Sequence, residues 1–334
     1  MDVTGGHLPV ALDLPGRRIA LRPLARSDFH EPWFDYAYRN EGEQPAVQRP
    51  LEDLLDWAEG QPSRLFRLIA HTTRCGSTLL ANHLSLRPDT LVLKEPVFLL
   101  DAALHALRAR DATERRAAHR LLRALLAYCD ATAEAHGRRL VVKLTSWTSL
   151  VVLDALGGIG GPARWLLVWR EPAEVVASLE ASPPSWRGLR DDPALRAALG
   201  LAADPGGEGD IAFHAGLWRA LVEPFVGAVR DAPVRLLDYV TLAADPAGAL
   251  LAAERWLGLA GTADLPGGFA AACGRYAKSA DGEPFDPTGT HRRPALTPAG
   301  RAAVRRITDP ALALVRTGAP LVTAEAATEG GRPR

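Results

Sequence analysis

The sequence predicts an α/β fold, a parallel sheet of about five strands with helices on both faces. Three observations carry that prediction. Short apolar runs recur at 65–70, 90–93, 140–142, 165–169 and 234–237, separated by stretches with helical spacing. Each run ends in polar or charged residues: Lys94-Glu95-Pro96, Lys143-Leu144-Thr145-Ser146, Arg170-Glu171-Pro172 and Asp238-Tyr239. In parallel sheets the C-terminal strand ends are where ligands bind, so these residues are the candidates for chemistry. The first run leads straight into a small turn, 71–76, and a helix that starts at Ser77.

The whole chain narrows the class. Its 334 residues fit one large α/β domain with decorations, or two small domains. Lys+Arg and Asp+Glu both count 39, so an anion site must be a local cluster, and nothing points to nucleic acid or an anionic membrane. Three cysteines, Cys75, Cys129 and Cys273, without paired spacing, indicate a reducing cytoplasm rather than a disulfide scaffold. No signal-peptide pattern opens the chain, no apolar run is long enough to cross a membrane, and Cys–His metal spacing is absent. No metal is expected. The sequence carries no signal of oligomeric state.

Taken in order, residues 1–60 read as an N-terminal arm or cap. Within it Arg18-Ile19-Ala20-Leu21-Arg22 alternates like a strand, 27–38 reads as a short helix or packed arm, and 51–58 as helical. The α/β domain spans 61–282, a C-terminal helical extension 283–327, and a disordered tail 328–334. Inside the domain, helices are expected at 77–86, 98–110, 113–136 and 210–229, and a further one at 298–316. Arg115, Arg116, Arg120 and Arg123 form the solvated face of the third of these segments. Phe213, Leu217, Trp218, Leu221, Phe225 and Val229 make a core stripe on the fourth. Residues 182–209, rich in Pro, Gly and Asp, form a long, partly helical excursion of the kind that covers substrates.

The turn after the first strand is built for an anion. Gly76 lets the backbone approach a ligand, Ser77 and Thr78 put hydroxyls beside the unpaired N–H groups of the helix start, and Arg74 adds a planar cation. A triphosphate loop needs Lys directly after its last Gly, and Ser77 stands there instead. The order Arg74-Cys75-Gly76-Ser77-Thr78 resembles the 5′-phosphosulfate loop of sulfotransferases, basic-x-Gly-[Ser/Thr]-Thr after the first strand. Arg at the basic position is the form of the tyrosylprotein and bacterial carbohydrate branches. Further on, Arg170-Glu171-Pro172 followed by Ser178, eight residues after Arg170, is similar to the family's 3′-phosphate motif. A guanidinium gives a phosphate two parallel charge-assisted bonds and the hydroxyl a third. Tyr239-Val240-Thr241-Leu242-Ala243-Ala244-Asp245-Pro246, then Trp256-Leu257-Gly258-Leu259, resembles a structural segment of the family, with Asp245 as an N-cap and Pro246 at N1. Arg275-Tyr276-Ala277-Lys278-Ser279 sits where the family closes a basic segment over the donor.

The resemblance, from about 65 to 279, implies a P-loop-like fold and transfer of a sulfuryl group from 3′-phosphoadenylyl sulfate. The acceptor is then a hydroxyl or amine on a small molecule or carbohydrate. Donor-binding residues implied are Thr73, Arg74, Cys75, Gly76, Ser77, Thr78, Arg170, Ser178 and Lys278. Catalytic residues implied are Arg74, Glu95 and Lys143. Cytosolic members carry a base in a Lys-x-His order, and here Lys143-Leu144-Thr145 puts Thr145 in the His position. Glu95 is therefore the expected base, as in the tyrosylprotein branch, with a site-ordering salt bridge to Lys94 or Arg170 as its other reading. Lys143 either stabilises the transferred group or forms a structural ion pair, and Cys75 is either a thiol acidified at the helix start or a small filler. Two further functions stay open: a P-loop kinase using ATP, and a silent sulfotransferase-fold binding protein.

Overall fold

A computed structural model describes residues 5–24, 33–35, 45–184, 190–201, 209–226, 233–259, 264–273, 296–318 and 320. Lys278 with the rest of 275–279, the 328–334 tail, most of 27–38 and parts of the 182–209 excursion lie outside these residues. No helix among the described residues is long and apolar enough to cross a membrane.

Five parallel strands form the central sheet: β4 (Phe66–His71), β5 (Thr90–Lys94), β6 (Arg139–Lys143), β7 (Ala163–Trp169) and β8 (Val234–Asp238). Their order is β5-β6-β4-β7-β8, so the chain steps from central β4 to the β5 edge, returns, and crosses to the other side after β6. This reversal beside β4 opens the crevice in which doubly wound sheets hold ligands. Each apolar run of the sequence is one of these strands, and alternation explains why all five are buried on both faces. Leu68, Ala70, Leu91, Leu93, Leu140, Val142, Trp165 and Leu167 point into one core; Ile69, Val92, Val141, Leu166 and Val168 point into the other.

Helices cover both faces, as the pattern requires. The first core is closed by α3 (Val97–Leu107), α4 (Ala112–Ala135), α5 (Thr148–Ala155) and α8 (Gly209–Val226). Phe213, Leu217, Trp218, Leu221 and Phe225 of α8 are buried, which makes the aromatic stripe core; Val229 lies outside the described residues. Against the second core lie α2 (Ser77–Leu84), α10 (Pro246–Leu257) and α11 (Phe269–Cys273). Asp245 caps α10 by accepting from the Gly248 N–H at 2.8 Å, and Pro246 opens it. The expected turn before it is a short helix, α9 (Tyr239–Ala244), capped in turn by Asp238. Helix α6 (Pro172–Ala181) follows β7, and α12 (Pro298–Thr317) packs on α6 and α8.

The N-terminal region holds more order than its sequence suggests. A three-stranded antiparallel sheet, β1 (His7–Asp13), β2 (Arg18–Pro23) and β3 (Val47–Pro50), precedes α1 (Leu51–Glu59). Leu8, Ile19 and Leu21 join the first core, and β1 packs on α3 and α4. Only β2 is evident from alternation. The hairpin between β1 and β2 is nonetheless marked by Pro15-Gly16, with Gly16 N–H donating to Asp13 Oδ1 at 2.9 Å.

Two buried polar features behind α2 give measurable consequences. Arg87 pairs with Glu254 of α10 in a bidentate fork, Nε to Oε1 at 2.6 Å and Nη2 to Oε2 at 2.9 Å, both side chains being buried. Glu254→Ala strands that guanidinium and is expected to cost about 3–5 kcal/mol in urea denaturation. His83, buried on α2 against Phe269, has its pKa pushed down to about 4 by burial. The unfolded chain therefore binds a proton below about pH 6.5 that the folded one refuses until about 4. Stability should fall through that window as pH drops, by up to about 3 kcal/mol, and a His83→Leu variant should show a flatter urea-midpoint profile.

Candidate active site

Strand register brings the polar strand ends to one edge. His71 of β4 is level with Val168 of β7, Lys143 of β6 pairs with Lys94 of β5, and Trp169 of β7 pairs with Asp238 of β8. The residues just beyond, Thr72 to Gly76, Glu95, Thr145, Arg170 and Tyr239, therefore share the C-terminal edge of the sheet.

The β4–α2 turn is tightly specified. Thr72 N–H donates to Val168 O at 3.1 Å, extending the β4–β7 ladder by one residue. Thr73 (φ 59°) and Arg74 (φ 48°) then adopt left-handed backbone, and Gly76 (φ 83°) does so at the N-cap of α2. Turns of this kind present successive N–H groups to one side, the concavity that binds oxyanions. The N-cap supplies no side-chain acceptor to those groups. The Cys75 thiol donates to Val168 O at 3.1 Å, and burial pushes its pKa up, outweighing the hydrogen bonds to Ser77. Of the two readings of Cys75, its burial and upward-shifted pKa fit the small buried filler rather than the acidified thiol.

Gly76 is required by packing as well as by φ. A Cβ there would lie 2.9 Å from Leu242 Cδ2 and 3.0 Å from Tyr239 Cδ2. The same Tyr239 ring carries the Arg170 guanidinium on its face, Cζ lying 4.1 Å from the ring centroid. Arg170 Nη1 reaches back to Arg74 O at 3.4 Å, Nη2 lies 3.4 Å from Glu174 Oε2, and the Arg170 carbonyl accepts from Trp218 Nε1 at 2.9 Å. Arg74 in turn donates to Ser182 O at 2.7 Å and to Ser182 Oγ at 3.2 Å, at the C-terminal end of α6 where helix carbonyls attract cations. Ser178 is half-buried on α6, one turn before Ser182.

A second cluster sits on the other side of β4. The Lys143 ammonium, buried, forms an ion pair with the Glu95 carboxylate. Glu95 itself has φ 54°, and its N–H donates to Lys143 O at 2.7 Å. The ion pair seen at Glu95 thus involves Lys143. His71 Nε2 lies 3.6 Å from Glu95 Oε1, and His71 Nδ1 accepts from the Thr73 N–H at 3.0 Å. Thr145 begins the turn into α5, its carbonyl accepting from the Thr148 hydroxyl at 2.7 Å.

Among the expected site residues, Thr73 to Thr78, Arg170, Glu95 and Lys143 lie on one edge of the sheet, Ser178 stands on α6 behind it, and Lys278 is outside the described residues. His71, Trp218 and Ser182 were not foreseen as parts of the site, and Tyr239, a strand-end candidate, was given no contact with Arg170. The position of His71 at the end of a buried strand, directly before the turn, was the available signal. The described residues contain no group of three or more His, Cys, Asp and Glu arranged to hold a metal.

No protein-family model matches the sequence, and no curated protein does. Solved structures do resemble the fold. The sulfotransferase domain of the Synechococcus PCC 7002 olefin synthase is 17% identical, with a TM-score of 0.41 over 77% of this chain and 94% of that one. The sulfotransferase domain of the curacin biosynthetic pathway is 14% identical, with a TM-score of 0.42 over 74% of this chain and 98% of that one. A sulfotransferase from Alicyclobacillus acidocaldarius is 16% identical, with a TM-score of 0.41 over 77% of this chain and 96% of that one. All three neighbours are sulfotransferases.

The Gly76 contacts can be tested directly. Gly76→Ala should lower stability by about 1–2 kcal/mol for the left-handed backbone alone. Chemical denaturation reads it, and near-ultraviolet dichroism should report the displaced Tyr239 ring.

Proposed function

We propose that the protein transfers a sulfuryl group from 3′-phosphoadenylyl sulfate to a hydroxyl or amine of a small-molecule or carbohydrate acceptor. One observation carries the reading. The turn and the Arg170 motif, almost a hundred residues apart in the chain, are joined by the Arg170–Arg74 and Arg74–Ser182 hydrogen bonds. Their cations and N–H groups thus lie side by side, and the donor carries one phosphate on each side of its ribose.

In this reading the N–H groups of Thr73 to Thr78 and the hydroxyls of Ser77 and Thr78 receive the 5′-phosphosulfate. Arg74 stabilises the leaving oxygen. Arg170, flattened on Tyr239, and Ser178 receive the 3′-phosphate, with Lys278 as a further cation. The acceptor oxygen or nitrogen attacks sulfur in line, the bond from sulfur to the 5′-phosphate oxygen breaks, and the acceptor proton passes to Glu95. Lys143 orients that carboxylate through their ion pair, and in this reading its charge stabilises the transferred group. The products are the sulfated acceptor and adenosine 3′,5′-bisphosphate. The protein's three free thiols and balanced charge support a cytoplasmic setting without nucleic acid or membrane partners.

The Glu95–Lys143 ion pair also favours a second reading, in which the pair only orders the site of a silent donor-binding protein. Calorimetry and kinetics separate the possibilities. Adenosine 3′,5′-bisphosphate should bind without magnesium, and Arg170→Ala should weaken it about 10–100-fold, the worth of a charged hydrogen bond. Preference for ATP with magnesium, indifferent to Arg170, would identify a kinase instead. Glu95→Gln should lower kcat by about 10²–10⁴-fold. Bisphosphate binding by a wild type that never turns over would select the silent protein.

A further inference from the structure

We propose that His71 is a positioning residue that couples the anion-binding turn to the general base. The inference rests on the sulfotransferase reading and deepens it. His71 ends β4, is buried, and touches both halves of the site. Its Nδ1 accepts from the Thr73 N–H at 3.0 Å. An acceptor nitrogen carries no proton, so the neutral ring holds its proton on Nε2. Nε2 is the atom 3.6 Å from Glu95 Oε1, slightly beyond hydrogen-bond length.

The two segments that the imidazole bridges are the strained ones. Thr73, Arg74 and Glu95 are three of the four described non-glycine residues with positive φ. Such backbone persists only where its surroundings hold it. Thr73 is held by the His71 ring; Glu95 is held by Lys143 through both backbone and side chain. His71 links the two holds. A turn drawn onto a phosphosulfate therefore moves the ring, and the ring moves the carboxylate. Donor binding and base orientation become one event.

Of the charged groups, Glu95 after β5 faces the ring at Nε2, and Lys143 on β6 is the ion-pair partner of that carboxylate. Protonating Nδ1 turns the acceptor into a donor facing the Thr73 N–H, and that bond is lost. Acid should then weaken anion binding through His71, over and above titration of the ligand itself.

Two variants divide the ring's functions. His71→Asn keeps an acceptor near Nδ1 and removes the group facing Glu95; His71→Gln keeps a donor near Nε2 and removes the acceptor. Calorimetry with adenosine 3′,5′-bisphosphate should show His71→Asn within about twofold of wild type and His71→Gln about tenfold weaker, one lost hydrogen bond. The extra acid weakening of wild type should vanish in His71→Asn. Nitrogen-15 NMR of the wild-type ring at neutral pH should find Nδ1 unprotonated, a readout that needs no variant to fold. A protonated Nδ1, a His71→Gln protein that binds like wild type, or an undiminished acid limb in His71→Asn overturns the proposal. Failure of wild type to bind the bisphosphate at all overturns the sulfotransferase reading, while the NMR result still reports separately on the ring.

Discussion

The Tyr239 ring is shared by two stretches of chain that lie far apart in sequence, and the geometry of the site depends on that sharing. Its edge touches the place where Gly76 has no side chain, and its face supports Arg170. Moving the ring away would leave Arg170 without its platform; enlarging Gly76 would push on the ring. Leu242, one turn along α9, closes the same gap. The Asp238 cap fixes α9 at the end of β8, accepting from the Thr241 N–H at 2.9 Å. The spacing of the turn relative to the Arg170 motif is thus set by a short helix on a neighbouring strand, and through it by strand register.

That arrangement explains how a chain with no net charge concentrates cations. Lys and Arg balance Asp and Glu over the whole sequence. At the C-terminal edge of the sheet, however, Arg74, Arg170 and Lys143 come together with the start of α2. Their acidic partners are few and placed with purpose: Glu174 beside Arg170, and Glu95 on Lys143. Elsewhere charge serves packing. Arg87 ties α2 to α10 through Glu254, and Arg120 of the arginine-rich face pairs with Glu59 of α1.

The fold was legible because a sheet buried on both faces writes itself as apolar runs, and β4 to β8 each coincide with one. Much of the candidate site was legible for a related reason: its charged residues stand at strand ends or in the turn after β4, so Arg74, Glu95, Lys143 and Arg170 stood out at once. Residues whose meaning comes from distant partners did not. Nothing local marks Tyr239 as the support of Arg170, or Ser182 as the partner of Arg74, because each contact spans a large loop of chain. His71 looked like the last residue of a strand. Its contact with Glu95 emerges only once β5 brings that carboxylate within reach. β1 was missed because it alternates weakly, and its burial comes from α3 and α4 rather than from its own pattern.

The central claim is that two phosphate sites share one sheet edge, and a crystal structure with adenosine 3′,5′-bisphosphate tests it most directly. The 5′-phosphate is expected on the N–H groups of the turn between Thr73 and Thr78, and the 3′-phosphate against Arg170 and Ser178. A nucleotide bound with its phosphates reversed, or seated away from Arg170 altogether, would contradict it.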